Sequence, residues 1–192
     1  MKSKYLSAAA ALLCAAGLAA CGGGGNGSLP LVVQVVGLDR TGLVLLNNGG
    51  DELLVTGSGT ATFKTLMEPD AAFNVTIKTP PDGTVCKLAN NTGKINYYSY
   101  QQTVVTCTPN TYELGGEVSN LTTSGLVLAN GPLTVAVPAN STRWEFATKI
   151  NNLAPYGVTI LSQPAGQTCA LANASGVMPL AQKVANVNVT CQ

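Results

Sequence analysis

Histidine is absent from the 192 residues, and charged side chains make up only 10% of them, with Lys and Arg (10) nearly balancing Asp and Glu (9). Without histidine the chain lacks the commonest general base, the commonest metal ligand and the central member of a Ser-His-Asp triad. Without a cationic excess it lacks the basic face that nucleic-acid binding requires. Aromatic residues are scarce as well, at 5%. Yet apolar residues reach 46%, too many for charged disorder and enough to build a core. These absences point to a non-catalytic protein that needs no cofactor and no metal.

Long hydrophobic runs are also missing. The longest, Tyr5 to Gly17 (YLSAAAALLCAAG), follows Lys2 and Lys4 and has the length of a signal-peptide core. It falls short of the roughly twenty residues that span a bilayer. Next comes Leu18-Ala19-Ala20-Cys21, which resembles the bacterial lipobox, where a signal peptidase cuts before a lipidated cysteine. Residues 1–20 then read as a lipoprotein signal peptide, and the Cys21 thiol carries the lipid. At about 0.8 kcal/mol per buried methylene, two or three acyl chains anchor a protein durably. A general secretory signal cut at a nearby A-x-A site is the alternative. Residues 21–28 (CGGGGNGS) form the lipidated cysteine and a glycine-rich tether. Gly22 rather than Asp follows the cysteine. By its resemblance to lipoprotein sorting in two-membrane bacteria, this implies palmitoylation and export to the outer membrane.

The remainder is one unit written twice. An offset of 83 residues superposes Gly42-Leu43-Val44-Leu45 on Gly125-Leu126-Val127-Leu128, Phe63 on Phe146, Val75-Thr76-Ile77 on Val158-Thr159-Ile160, and Gly83 on Gly166. It also superposes Cys86 on Cys169 and Leu88-Ala89-Asn90 on Leu171-Ala172-Asn173, and slips by one at Cys107 and Cys191. Pro109-Asn110 divides the chain into residues 29–109 and 110–192.

Period-2 alternation makes both units all-β. Phe73, Val75 and Ile77 face one way and Asn74, Thr76 and Lys78 the other; Tyr156, Val158 and Ile160 repeat the pattern, as do Val187, Val189 and Cys191. Turn clusters such as Pro80-Pro81-Asp82-Gly83 cut the chain at the spacing of an antiparallel sandwich. About seven strands per unit are expected, near residues 31–36, 42–47, 51–56, 60–65, 72–78, 84–89 and 101–107 of the first.

Cys14 leaves with the signal, so four cysteines remain for pairing, and four allow three pairings. Two copies of a self-contained fold select Cys86 with Cys107 and Cys169 with Cys191. In a terminal hairpin this sets Leu88 opposite Val105 and Leu171 opposite Val189. A zinc or redox site is the alternative, opposed by the lack of histidine and of C-x-x-C.

Together these motifs (GLVL, F-x-T, Y/F-x-V-T-I, Q-P-x-G-x-x-C and a closing cysteine) resemble bacterial envelope lipoproteins with tandem units of about eighty residues. The second unit fits through Phe146, Thr148, Tyr156, Gln163-Pro164, Gly166, Cys169 and Cys191; the first has Pro80 in place of the glutamine. The resemblance implies immunoglobulin-like or transthyretin-like sandwiches and supplies no catalytic residue.

Several residues remain as candidates. Asp51-Glu52 offers oxygen ligands for calcium, or else a solvated hairpin turn; under the 83-residue offset the second unit has Thr134 and Val135 there. Glu68 and Asp70 share one loop and cannot flank a glycosidic bond from both sides. Ser124 and Ser141 lie outside any G-x-S-x-G elbow. Trp144 reads as packing at a strand edge. Asn-x-Ser/Thr sequons such as Asn74 and Asn188 carry no glycosylation meaning behind a bacterial lipobox. Tyr97, Tyr98 and Tyr100 stand where the repeat has Leu180, Ala181 and Lys183. Alternation places Tyr98 and Tyr100 on one side and Tyr97 on the other. They are the candidate contact for a partner, an envelope protein or polysaccharide, unless they cover the sandwich edge.

Overall fold

The computed structural model describes residues 27–192. The signal peptide, Cys21 and most of the tether lie outside the described residues.

The first unit contains β1 (Leu29–Val36), β2 (Leu43–Asn47), β3 (Asp51–Val55), β4 (Gly59–Met67), β5 (Ala72–Thr79), β6 (Thr84–Ala89), β7 (Thr92–Lys94) and β8 (Thr103–Pro109). They form two four-stranded sheets, ordered β4-β1-β8-β6 and β3-β2-β5-β7. The second unit contains β9 (Thr111–Tyr112), β10 (Gly115–Ser119), β11 (Leu126–Asn130), β12 (Leu133–Val137), β13 (Arg143–Glu145), β14 (Ile150–Asn151), β15 (Pro155–Ser162), β16 (Cys169–Ala172), β17 (Ser175–Val177) and β18 (Asn188–Cys191). Its sheets, β13-β10-β18-β16 and β12-β11-β15-β17, reproduce the same order, with β9 and β14 forming a separate short pair. The protein is thus all-β, two sandwiches in tandem. An immunoglobulin sandwich puts its first and second strands in one sheet. Here they lie in different sheets, so the strand order differs from that of an antibody domain.

Each unit has its own core. In the first, Leu31, Val33, Leu43, Leu45, Phe63, Phe73, Val75, Ile95 and Val105 are buried between the sheets; in the second, Leu114, Leu126, Leu128, Phe146, Val158, Met178, Val187 and Val189 are. The disulfides close the terminal hairpins: Cys86 is bonded to Cys107 and Cys169 to Cys191, each pair in direct cross-strand register. Leu88 stands opposite Val105 and Leu171 opposite Val189.

The structure gives the motifs physical reasons. Gly42 and Gly125, which open the GLVL strands, have φ of 108° and 109°, in a region that favours glycine, and each lies against a buried proline, Pro81 or Pro164. Gln163 closes a two-way bond with its cysteine: Nε2 donates to the Cys169 carbonyl (3.0 Å) and Oε1 accepts from the Cys169 N–H (2.8 Å). Pro80 makes no such bond in the first unit. Trp144 belongs to the core. It is 6% exposed, donates its indole N–H to the Val187 carbonyl (2.9 Å) and meets Phe146 edge to face. Its partner across the strands is Gly116, whereas the first unit pairs Val33 with Ala61 at the same place. One large and one absent side chain replace two of middling size.

Two expectations need correction. Each unit has an extra short strand, β7 or β17, whose three residues are all exposed and so show no apolar alternation, and the second unit adds β9 and β14 besides. The β11-β12 hairpin is one residue shorter than β2-β3, Asn130 pairing with Leu133 where Asn47 pairs with Asp51. Leu133 and Thr134, rather than Thr134 and Val135, are therefore the counterparts of Asp51 and Glu52.

In each unit the first strand runs parallel to the last: Val33 to Val36 pair with Thr103 to Thr106, and Val118 and Ser119 with Val189 and Thr190. Parallel partners start at the same end, so the chain enters a sandwich at one pole and leaves it at the other. The entry pole of the first unit carries Gly27, the loop 68–71 and the loop 95–102. Its exit pole carries the loops 37–42 and 80–83 and faces the second unit.

Candidate interaction site

The loop between β7 and β8 holds the tyrosines. Ile95, fully buried, pins its start, and Asn96 then organises a single turn. The Asn96 side-chain oxygen accepts the N–H groups of Tyr98 (2.9 Å) and Ser99 (3.1 Å), while Ser99 Oγ accepts the Asn96 N–H (2.9 Å). The Tyr100 N–H closes the turn on the Asn96 carbonyl. Because the segment turns, strand alternation does not apply to it. Tyr97 (70% exposed) and Tyr98 (98% exposed) point to solvent together, and Tyr100 packs against the first core. The expected grouping of Tyr98 with Tyr100 is thus replaced by Tyr97 with Tyr98. Asn-x-x-Ser, a side-chain capping pattern, was the sequence signal for this turn.

At the opposite pole a polar latch joins the two units. Asn152, 3% exposed, donates through Nδ2 to the carbonyls of Gly83 (2.7 Å) and Leu180 (3.1 Å) and accepts from Arg40 Nη2 (3.2 Å). The Gly83 carbonyl also takes the Asn110 N–H (2.8 Å), and the Asn110 carbonyl takes the Asn152 N–H (2.8 Å). Arg40 is held by a two-pronged contact with Asp39 (2.9 and 3.0 Å) and by the Asp82 carbonyl (3.1 Å). That side-chain hydrogen bond with Arg40 lowers the Asp39 pKa below its ordinary value and raises that of Arg40. Five separate chain segments contribute, so no local pattern announces the latch.

The far pole of the second unit lacks this equipment. Thr123 replaces Arg40, and Gln167 ties the local loops together, accepting from the Thr122 N–H (2.8 Å) and Thr123 N–H (3.1 Å) and donating to the Asn120 carbonyl (2.8 Å). Its loops are closed on themselves.

Between the edge strands β12 and β13 runs an open groove of about 400 Å³, lined by Val135, Val137, Pro138 and Trp144 together with Arg143 and Glu145; the first unit has a more polar counterpart of about 310 Å³ between β3 and β4. Three of the acidic candidates have separate partners. Asp51 accepts from the Thr65 N–H (3.3 Å), Glu52 pairs with Lys78, and Glu68 accepts from Ser28 Oγ (3.2 Å). Among the described residues no three His, Cys, Asp or Glu side chains gather as metal ligands would. Ser124 and Ser141 lie in loops of the far pole.

No protein-family model and no curated protein matches the chain. Among solved structures it is similar to the pilus adhesin SpaC from Lactobacillus rhamnosus GG (TM-score 0.41, 11% identity), covering 84% of this chain but only 31% of the adhesin. It is also similar to the C-terminal fragment of SpaC (TM-score 0.39, 12% identity), covering 84% of this chain and 96% of the fragment. At that level the similarity stands by itself and assigns neither activity nor partner.

Proposed function

We propose that the protein is a lipid-anchored, non-catalytic module of the bacterial envelope, held in the outer membrane through Cys21 and projecting two joined sandwiches away from it. The observation that carries this reading is the latch around Asn152, which fixes the orientation of one unit on the other. A chain that enters at one pole and leaves at the other, with its joint locked, is built to hold a fixed distance. Disulfides in both units suit an oxidising compartment. The lipobox supports the anchor. Fractionating cells that express the wild type and Cys21→Ala tests it: the wild type pellets with membranes and the variant becomes soluble. Membrane pelleting of the variant overturns the anchor.

A second reading, an accessory subunit of an envelope secretion or appendage assembly, is favoured by the groove beside β12. This strand is unpaired on one side and could accept an added strand. Pro132 and Pro138 bracket it and limit the addition to about five residues.

A further inference from the structure

We infer that Tyr97 and Tyr98 form a contact with the lipid headgroup region, so that the entry pole of the first sandwich rests on the bilayer that holds the anchor. This rests on the reading of Cys21 as lipidated. Three observations converge on it.

The first is the exposure of both rings on one loop of the entry pole, whose backbone is held by the Asn96 turn. Tyrosine joins a flat apolar ring to a hydroxyl, and that combination concentrates at the boundary between hydrocarbon and water.

The second is the repeat. Leu180, the counterpart of Tyr97 at the 83-residue offset, faces the first unit across the joint: a Cβ added to Gly83 would lie 2.6 Å from its Cδ1. Leu153, the counterpart of Asp70, shares its left-handed φ (57° against 63°). The pole that the second unit presses against the first is therefore the same pole on which the first unit carries its tyrosines. By this symmetry Tyr97 faces along the molecule, away from the second unit.

The third is the tether. A Cβ on Gly27 would lie 3.1 Å from the Tyr97 hydroxyl, so the chain leaves the fold beside the tyrosines. Six residue steps separate Gly27 from Cys21. Fully extended they reach at most about 20 Å. The headgroup zone of one leaflet is itself about 5–7 Å deep. The covalent tether thus keeps Gly27, and Tyr97 beside it, within about 20 Å of the lipidated cysteine, at an effective concentration that makes even a weak contact persist. Glu68, Asp70 and Lys94 share this end of the unit, which gives it no cationic excess. The contact is apolar and insensitive to salt, unlike a polybasic one.

The test uses the full lipoprotein with its acyl chains, reconstituted into phosphatidylethanolamine and phosphatidylglycerol vesicles. Tyr98→Trp introduces an indole at a site with no packing to lose, and subtracting the parent spectrum removes the buried Trp144. Lipids brominated near the headgroup should quench the emission of the introduced indole several-fold, and the vesicles should shield it from iodide at both low and high salt. Emission unchanged by brominated lipid in protein that floats with the vesicles overturns the contact while leaving the anchor intact. If that emission is nevertheless shielded from iodide, a protein rather than lipid covers the site, and the inference falls equally. Failure of the parent lipoprotein to float overturns the anchor, and the contact with it.

Discussion

Asn152 of the second sandwich donates its amide to the Gly83 carbonyl of the first at 2.7 Å, inside a joint where it is 3% exposed. A buried amide with all its partners in place specifies one arrangement, since any other leaves polar groups unpaired. Asn152→Ala removes three hydrogen bonds at once. Losing them should weaken the joint by about 1–3 kcal/mol, while each core keeps its own contacts. Small-angle scattering should show a broader distribution of maximum dimension with unchanged unfolding of each unit; an unchanged profile would mean that the orientation is set elsewhere.

Gly83 and Gly166 are equivalent in the repeat and both left-handed, with φ of 65° and 71°. A Cβ on Gly83 would stand 2.2 Å from Asn152 Nδ2, whereas one on Gly166 meets nothing within 4 Å. Gly166→Ala should cost only the backbone strain, about 1–2 kcal/mol. Gly83→Ala should add displacement of the latch, read as a larger fall in melting temperature together with a loosened joint. Equal effects of the two would refute the asymmetry.

The Asp39 carboxylate steadies Arg40 and has a lowered pKa for that reason. Its contribution is therefore complete above the ordinary aspartate range and is lost as pH falls through the lower folded value. Acidification should release Arg40 from its fork and loosen the joint, in a titration that Asp39→Asn abolishes. Because Asp39 is 47% exposed at its side chain, the effect on global stability should be small. An interdomain distance probe followed across acid pH would check this, and a transition surviving in the variant would assign it to another group.

The disulfides span 21 and 22 residues. In the chain-entropy model a loop of that size is worth about 3 kcal/mol. Replacing Cys169 and Cys191 with alanine should lower the melting transition of the second unit and leave that of the first in place, because the cores are separate. Calorimetry would separate the two, and Trp144 fluorescence would report the second alone.

How much of this could be read from residues alone depends on how local the cause is. The cysteine register was legible because Leu88 and Val105, or Leu171 and Val189, alternate in step with the cysteines beside them. Strands with one buried face were legible for the same reason. β7 and β17 were not, since exposure on every residue erases the period. The one-residue shortening of the β11-β12 hairpin was hidden because the flanking repeat stays in phase. Tyr97 and Tyr98 were singled out by breaking the repeat, but their joint exposure depends on a turn that overrides alternation. The latch draws on Arg40, Gly83, Asn110, Asn152 and Leu180, from five separate segments, and nothing in any one of them marks it.

The parallel pairing of β1 with β8 has a mechanical consequence. With the chain held at Leu29 and pulled from beyond Pro109, these neighbouring strands are drawn in opposite directions along their lengths. Tension then falls on the whole row of interstrand hydrogen bonds together, in shear, rather than opening them one after another. The second sandwich repeats this loading between β10 and β18. Should a unit yield, the bond from Cys86 to Cys107 keeps the segment between them from paying out, which shortens the extension that any rupture can release.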